Sequence, residues 1–324
     1  MERGRIEVIG IGGCNIDYVA FTSIIPGKGE KVIATTHEIH GGGVCANTLT
    51  QLARLGVKCG WIGKIGDDNA GRMLMEIYDK EGIDYSQAIV VKTKSTSFTW
   101  IIVDEEGDRT IIVFPNVGAE LTVEDINERC NYIKTAKIFH SEILQMPITP
   151  LLRAAEICRE SGVLVSFDLD VPPDYLYRWK FATEEELMRM ISLSDLFIPC
   201  KPAVSALIEE EDFEKAAKKL LDLGPKIVAI TLGEKGCALA YKTKANNVKS
   251  AVIPAFQVNT IDTTGAGDAF HGGFIYGLLK NWDLKKAAIF ANACAALKCT
   301  RKGARSSPAL NEVEAFLEYR GIKF

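Results

Sequence analysis

The stretch Asp262-Thr-Thr-Gly-Ala-Gly-Asp-Ala-Phe-His-Gly-Gly-Phe274 decides how the rest of the chain is read. Residues Phe256–Ile261 before it suit an extended segment, and the pattern after Asp268 is helical. Gly265, Ala266 and Gly267 therefore offer backbone N–H groups at a helix start. Such groups, together with the helix dipole, bind anions, and glycine lets the main chain approach a phosphate closely. Asp268 falls in the first helical turn, where a carboxylate is electrostatically favoured. From there a base reaches an attacking hydroxyl. A Gly-rich turn with an ordinary capping Asp is the plainer alternative. The flanking Asp262-Thr-Thr and the small-residue helix that follows favour the anion site.

Outward from this segment, apolar β-rich runs alternate with helical patterns. Ile6–Ile11, Gly60–Ile65, Ile138–His140, Leu164–Asp168, Leu196–Pro199 and Ile227–Leu232 read as strands. Val44–Leu55, Arg72–Lys80, Asp268–Lys280, Leu284–Leu297 and Pro308–Tyr319 read as helices. Strands spaced by helices predict an α/β fold, with a central, mostly parallel sheet covered on both faces. The rhythm breaks once. Phe98–Val103 and Thr110–Phe114 flank the polar turn Asp104-Glu-Glu-Gly-Asp108, which predicts a β-hairpin. Without a linker or repeat, residues 1–324 read as one domain. Residues 15–40 and 93–117 form a small β-sheet lid inserted in it. Ligands of open parallel sheets sit at the carboxyl ends of the strands, so a lid there covers the cleft.

Composition narrows the class. Of 324 residues, 47% are hydrophobic and 25% charged, which fits a globular protein with a sizeable core and excludes disorder. A net charge of −4 leaves no footprint for nucleic acid or an acidic membrane, so neither is expected as a partner. The start, Met1-Glu-Arg-Gly-Arg-Ile-Glu7, does not resemble a secretory leader. Nine cysteines, none in a CxxC pair, point to reduced thiols and a cytoplasmic location. No apolar run approaches the ~18 residues of a membrane span.

Other glycine-rich segments carry polar side chains. Gly41-Gly-Gly-Val-Cys-Ala-Asn47 opens a helix. The amides of Gly42 and Gly43 and the side chain of Asn47 suit neutral groups such as sugar hydroxyls; a flexible helix start is the alternative. Val8-Ile-Gly-Ile-Gly-Gly-Cys-Asn-Ile-Asp17 approaches a dinucleotide fingerprint, but Asn15 stands where the third glycine is required. Asn15 and Asp17 instead read as ending the first strand with two hydrogen-bonding side chains, and an Asp accepts from two adjacent hydroxyls at once. No GxxxxGK[ST] sequence exists, which excludes a Walker-type site. Thr231-Leu-Gly233-Glu-Lys-Gly236 reads equally as a nucleotide-edge turn or a hairpin turn. Thr300–Pro308 is a basic loop between helices.

At these residues the sequence resembles the ribokinase-like, or PfkB, family of carbohydrate kinases. Segments 41–71 and 262–278 look like that family's two signatures, in the right order and spacing, and the resemblance covers essentially the whole chain. It implies transfer of the ATP γ-phosphoryl group, with Mg2+, to a primary hydroxyl of a monosaccharide, sugar acid or nucleoside. Asp268 matches the catalytic base, and Gly265, Ala266 and Gly267 match the anion hole. Asp17, Gly42, Gly43 and Asn47 match sugar-hydroxyl contacts, and Asn15 beside Asp17 is a further substrate-binding candidate. Thr231, Gly233, Gly236 and Asn292 match the nucleotide region. Asp262, Thr264, Gly303 and Ser307 lie where many members bind a monovalent cation such as K+, chiefly through backbone oxygens.

There are departures. Where many members carry Asn-x-x-Glu, this chain reads Cys200-Lys-Pro-Ala203. Lys201 is then expected to offset phosphate charge, and Mg2+ to be held mostly by ATP and water. No acid stands where ribokinases place a sugar-contacting Glu beside Gln145; Glu142 is the nearby candidate. Asp168 is a candidate substrate contact, with a strand-end cap as the alternative. Arg109 on the lid suits a carboxylate or phosphate, or else is a solvated charge. His37 and His40 read as lid residues. A nucleoside kinase would find its base pocket in Phe98, Trp100 and Phe114. A carbohydrate sensor without catalysis is a further alternative, argued for by the missing Asn-x-x-Glu and against by Asp268. Pairing of lid edges in a homodimer is also expected, because exposed edges are a liability.

Overall fold

The computed structural model describes residues 5–323; the first four residues of the charged start lie outside them. Its strands are β1 (Val8–Ile11), β2 (Asn15–Phe21), β3 (Thr36–Gly42), β4 (Cys59–Ile62), β5 (Lys64–Gly66), β6 (Ile89–Val91) and β7 (Phe98–Val103). They continue with β8 (Arg109–Phe114), β9 (Ile138–Ser141), β10 (Leu164–Leu169), β11 (Leu196–Pro199), β12 (Ile227–Thr231), β13 (Cys237–Lys242) and β14 (Val248–Ile253). The main sheet runs β14-β13-β12-β11-β10-β9-β1-β4. Every pair from β12 to β4 is parallel, while β13 and β14 are antiparallel additions at one edge.

Alternation along the strands builds two cores, because successive side chains point to opposite faces. Ile9, Ile11, Phe139, Phe197, Val228 and Ile230 belong to one buried cluster, which helices Ile148–Ser161 and Glu184–Leu193 cover. Val8, Ile138, Leu196, Ile198 and Ala229 belong to the other, under helices Val44–Arg54, Ala266–Leu279 and Leu284–Cys299. Both faces are therefore apolar and both are covered, as the sequence pattern predicts.

From β1 the chain winds one way to β4 and later the other way through β9 to β12. The connections leaving β1 and β9 diverge at this reversal, which opens a crevice at the strand ends. A second sheet, β3-β2-β7-β8, stands over it. Its strands fall between residues 15 and 42 and between 98 and 114, and β7 and β8 pair as a hairpin.

Two expectations need correction. The run Gly60–Ile65 is not one strand: the chain breaks at Gly63, β4 stays in the main sheet, and β5 pairs with β6 in a separate ribbon. Asn15 and Asp17 do not end the first strand. They begin β2 of the small sheet and pair with Gly42 and His40 of β3. The turn at Gly12–Cys14 resets the direction of the chain between them. His37 and His40 lie on β3, and His40 Nε2 sits 2.8 Å from Glu38 Oε2.

Candidate active site

The helix Ala266–Leu279 starts at Gly265, whose φ of 81° lies in the left-handed region. A Cβ there would strike the carbonyl oxygen of Ala304, so this turn requires glycine twice over. The first-turn N–H groups have no intrahelical acceptor. Ala266 N–H is used locally, donating to Thr263 O at 3.1 Å, so of the three expected anion-hole residues it is the one already engaged. Nothing stands within 4 Å of the Cβ position of Gly267, so that face of the turn is open.

Asp268 follows, with its side chain buried. Its Oδ2 accepts from Asn47 Nδ2 at 2.7 Å, and its carbonyl accepts from Thr48 Oγ1 at 3.4 Å. Asn47 belongs to the helix Val44–Arg54, which starts at Gly43. Two helix starts therefore meet at one carboxylate. Asn47 Oδ1 accepts from Arg305 Nε at 3.2 Å, which fixes the amide with its NH2 toward Asp268. Burial pushes the Asp268 carboxyl well above its usual range; the charge of Asp170 adds to this, and the Asn47 bond opposes it.

Polar groups from the small sheet and the loops form the facing wall. Asp17 Oδ1 accepts from Asn15 Nδ2 at 2.6 Å, and Asn15 Oδ1 accepts from Gln145 Nε2 at 2.9 Å. A Cβ on Gly42 would overlap the Asp17 carboxylate, so Gly42 makes room for it. Burial raises the Asp17 pKa, and the Arg305 guanidinium opposes that rise. Glu142 accepts from the backbone N–H of Gly13 and, at 2.6 Å, of Leu144. Both its oxygens are thus committed to the main chain, and Glu142 is a brace of the turns after β1 and β9.

Asp168, at the end of β10, is buried with Oδ2 3.4 Å from His271 Nε2. Burial holds the His271 imidazole neutral and lifts Asp168 well above its usual value, so this contact is not an ion pair. His140 stacks edge-on against His271 at 5.7 Å between ring centres, and its pKa is pushed down to about 3 by burial. Asp170 sits two residues on, exposed at the crevice mouth yet crowded by its walls. That crowding first, and the charge of Glu142 second, push it up to about 6.

Two cavities flank the Asp268 turn. One, of about 610 Å³, is lined by Thr231, Gly233, Gly236, Phe256, Gly267 and Asn292. Asn292 Nδ2 donates to the carbonyls of Ile253 and Pro254, both at 3.1 Å, and so props one wall. The Thr231–Gly236 segment is the β12–β13 hairpin turn and also lines this cavity. The other cavity, of about 530 Å³, lies under the small sheet and is lined by Asp17, His40, Arg109, Thr264, Lys302 and Gly303. Thr260 and Thr263 line both. Arg109 Nη1 donates to Thr264 Oγ1 at 2.6 Å and ties the hairpin to the Asp262–Thr264 loop.

Several expected residues lie elsewhere or do something else. Lys201 lines neither cavity; its ammonium lies 5.6 Å from the Phe213 ring centre, beside Glu209–Glu211. An aromatic neighbour and an acidic stretch draw it away from any phosphate site. Phe98, Trp100 and Phe114 stack on one another on the outer face of the small sheet, with Trp100 half exposed. Their register is opposite to that of Thr99 and Ile101, so they form no base pocket. Among the residues expected to hold a monovalent cation, Asp262 Oδ1 accepts from Thr264 N at 2.8 Å and Oδ2 from Gly303 N at 2.9 Å. Ser307 O accepts from Arg54 Nη1 at 2.7 Å. Lys298 Nζ donates to Asp262 O at 2.9 Å. Sequence reasoning missed Lys298, Arg305 and Asp170. A lysine directly after the small-residue run Ala291–Leu297 and an arginine in a polar loop give no periodic signal.

Comparison with known proteins accords with this geometry. A family model described as "pfkB family carbohydrate kinase" matches residues 5–310. The chain is 31% identical to a ribokinase of Haemophilus influenzae over 319 residues, covering 95% of this chain and 97% of that one. It is 30% identical to a 5-dehydro-2-deoxygluconokinase of Geobacillus thermodenitrificans, covering 98% and 95% respectively. An E. coli protein described as a candidate ribokinase II, solved with ATP and Mg2+, superposes with a TM-score of 0.83 at 25% identity, over 97% of this chain and 99% of that one. A match that runs from β1 into the last helix takes in the crevice, both glycine turns and the small sheet together, and on that ground the chain belongs to the pfkB family of carbohydrate kinases.

Proposed function

We propose that this enzyme transfers the γ-phosphoryl group of ATP to a hydroxyl of a monosaccharide or sugar acid, with Asp268 as the base. The observation that carries this is the position of Asp268: buried, held at 2.7 Å by Asn47, and seated on the glycine turn between two cavities. Phosphoryl transfer needs alignment and charge stabilisation more than covalent chemistry. Asp268 takes the proton of the attacking hydroxyl, and the Gly265–Gly267 turn faces the charge that grows on the phosphoryl oxygens. Asn15, Asp17, Gly42, Gly43 and Asn47 bound the acceptor side. Thr231, Gly233, Gly236 and Asn292 bound the nucleotide side, whose open cavity and helix start fit a polyphosphate. Among the described residues no cluster of three or more His, Cys, Asp or Glu suits a metal ion. Mg2+ is expected to come bound to the ATP phosphates, where its charge offsets theirs.

The small sheet acts as a lid. Arg109 latches it to Thr264 and keeps water, the competing acceptor, away from the phosphoryl group. The nucleoside alternative loses its pocket, since the aromatic rings that would form it face outward. The outer face instead presents a row across all four strands, Ile39–Tyr18–Trp100–Ile112, each exposed and each paired with the next. A second copy of the chain covering this row makes a homodimer through the lids. All nine cysteines are free, which fits a reducing cytoplasm.

The test is ADP release by the purified protein with Mg2+ and a panel of aldoses, ketoses, keto-deoxy acids and nucleosides. Acceptor-dependent release with a sugar or sugar acid is expected. Release with nucleosides alone, or with no acceptor at all, overturns the proposal.

A further inference from the structure

The Asp262–Thr264 loop leads into the anion-binding turn, and the loop after helix Leu284–Cys299 packs against it. Lys298, in the last turn of that helix, is fully buried with a side-chain exposure of 0%. Its ammonium donates to Asp262 O at 2.9 Å and to Arg301 O at 3.2 Å, and stands 3.7 Å from Asp262 Oδ2. A lysine rarely enters a protein interior unless its charge is matched. Here one carboxylate, two carbonyls and the negative end of its own helix match it.

Several of the oxygens around this point are already engaged. Both carboxylate oxygens of Asp262 accept backbone N–H groups, Gly303 O accepts from Ser306 N at 3.2 Å and Ser306 Oγ at 2.7 Å, and Ser307 O accepts from Arg54. A monovalent metal ion would have to displace a buried ammonium and strip internal donors from their acceptors. The residues therefore do not fit such an ion.

We infer that the Lys298 ammonium is a built-in cation that binds the 262–264 and 300–307 loops together, so that the enzyme orders its anion-binding turn without K+ or Na+. Lys298 acts as a positioning residue: it touches neither substrate nor the reacting atoms. This rests on the assignment of the Gly265–Gly267 turn proposed above.

The first experiment uses the wild-type enzyme, with thermal midpoint and turnover measured across K+, Na+ and NH4+ chlorides at constant ionic strength set by tetramethylammonium chloride. Both quantities are expected to ignore the identity of the cation. A midpoint or rate that climbs with K+ overturns the inference. In Lys298→Met, loosening of the turn lowers turnover by up to about 10²-fold, and added K+ or NH4+ restores part of both rate and midpoint. A folded Lys298→Met enzyme with full activity, or with a loss that no cation touches, also overturns it. If that variant does not fold, the wild-type titration decides. Failure of the kinase proposal shows separately, as absence of ADP release with every acceptor, since the thermal midpoint needs no turnover.

Discussion

Replacing Asp268 by Asn tests the catalytic role and the electrostatics in one variant. The change is nearly isosteric, and the surroundings fix how the new side chain sits. Arg305 Nε holds Asn47 Oδ1, so Asn47 keeps its NH2 toward position 268. The new amide must accept that bond with its oxygen, and it then presents NH2 where the carboxylate offered a lone pair. It cannot take the acceptor's proton. Loss of a positioned general base lowers turnover by about 10²–10⁴-fold, or roughly 3–5 kcal/mol at 1.36 kcal/mol per decade. Binding of sugar and ATP is retained, because the fold and the anion turn are untouched. Stability moves the other way. Burial raises the Asp268 pKa above its ordinary 3.8, so the native state holds this proton more tightly than the unfolded chain does. A raised carboxyl destabilises the fold progressively as pH climbs from the unfolded value to the native one, and the full penalty stands above both. Asn carries no such penalty, and each unit of elevation is worth about 1.36 kcal/mol. The variant is therefore expected to melt above the wild type near neutral pH, with the gap closing toward pH 4. Coupled ADP-release kinetics and melts across pH read the two effects. Turnover close to wild type would refute Asp268 as the base. A lower melting point at every pH would refute the buried-charge argument.

Gly265→Ala forces a side chain into left-handed backbone and against Ala304 O, at about 1–3 kcal/mol of strain; a lower melting point and a raised KM for ATP are expected, and unchanged values would mean the turn is free to move. Asp170→Asn removes the like charge beside Asp268, so the acid limb of kcat/KM shifts to lower pH while the plateau at high pH falls; a limb that stays in place removes Asp170 from the account. Trp100→Asp puts a charge in the exposed Ile39–Tyr18–Trp100–Ile112 row, and sedimentation velocity is expected to show a dimer for the wild type and a monomer for the variant. A wild-type monomer at micromolar concentration defeats the lid pairing.

The fold was legible because its signal is redundant. Period-two burial in Ile9, Ile11, Phe139 and Phe197, helical spacing between strands, and a polar hairpin turn all point to the same layered sheet. The glycine turn was legible because φ of 81° and close approach to Ala304 leave no other residue type. Lys201 misled because position along the chain says nothing about where a long side chain lies; Phe213 and Glu209–Glu211 decide that through contacts made in three dimensions. Phe98, Trp100 and Phe114 misled for a related reason. Alternation put them on one face of the hairpin, but which face looks into the crevice depends on how β7 pairs with β2. Arg305 and Lys298 were silent since their meaning lies in Asn47 and Asp262, 258 and 36 residues away.

The charges of the crevice fall into two halves, which suit the two ligands proposed above differently. Asp17, Asp168 and Asp170 stand with Asp268 on the strand-end side, where hydroxyls can donate hydrogen bonds, while Arg109 and Lys302 line the cavity under the small sheet beside Asp17. The nucleotide side offers the helix start at Gly265–Gly267 and a wall of Phe256, Ala295 and Ala296, with Glu234 as the one carboxylate in its lining. Asp268 lies on the boundary. Burial and its acidic neighbours raise its pKa, which strengthens it as a proton acceptor, while the Asn47 hydrogen bond and the Lys298 charge oppose that rise. Removing the neighbours weakens the base, and removing the supports lets its pKa rise further. On the assignment proposed above, the glycine turn at the helix start is the favourable place for the γ-phosphoryl group to lie.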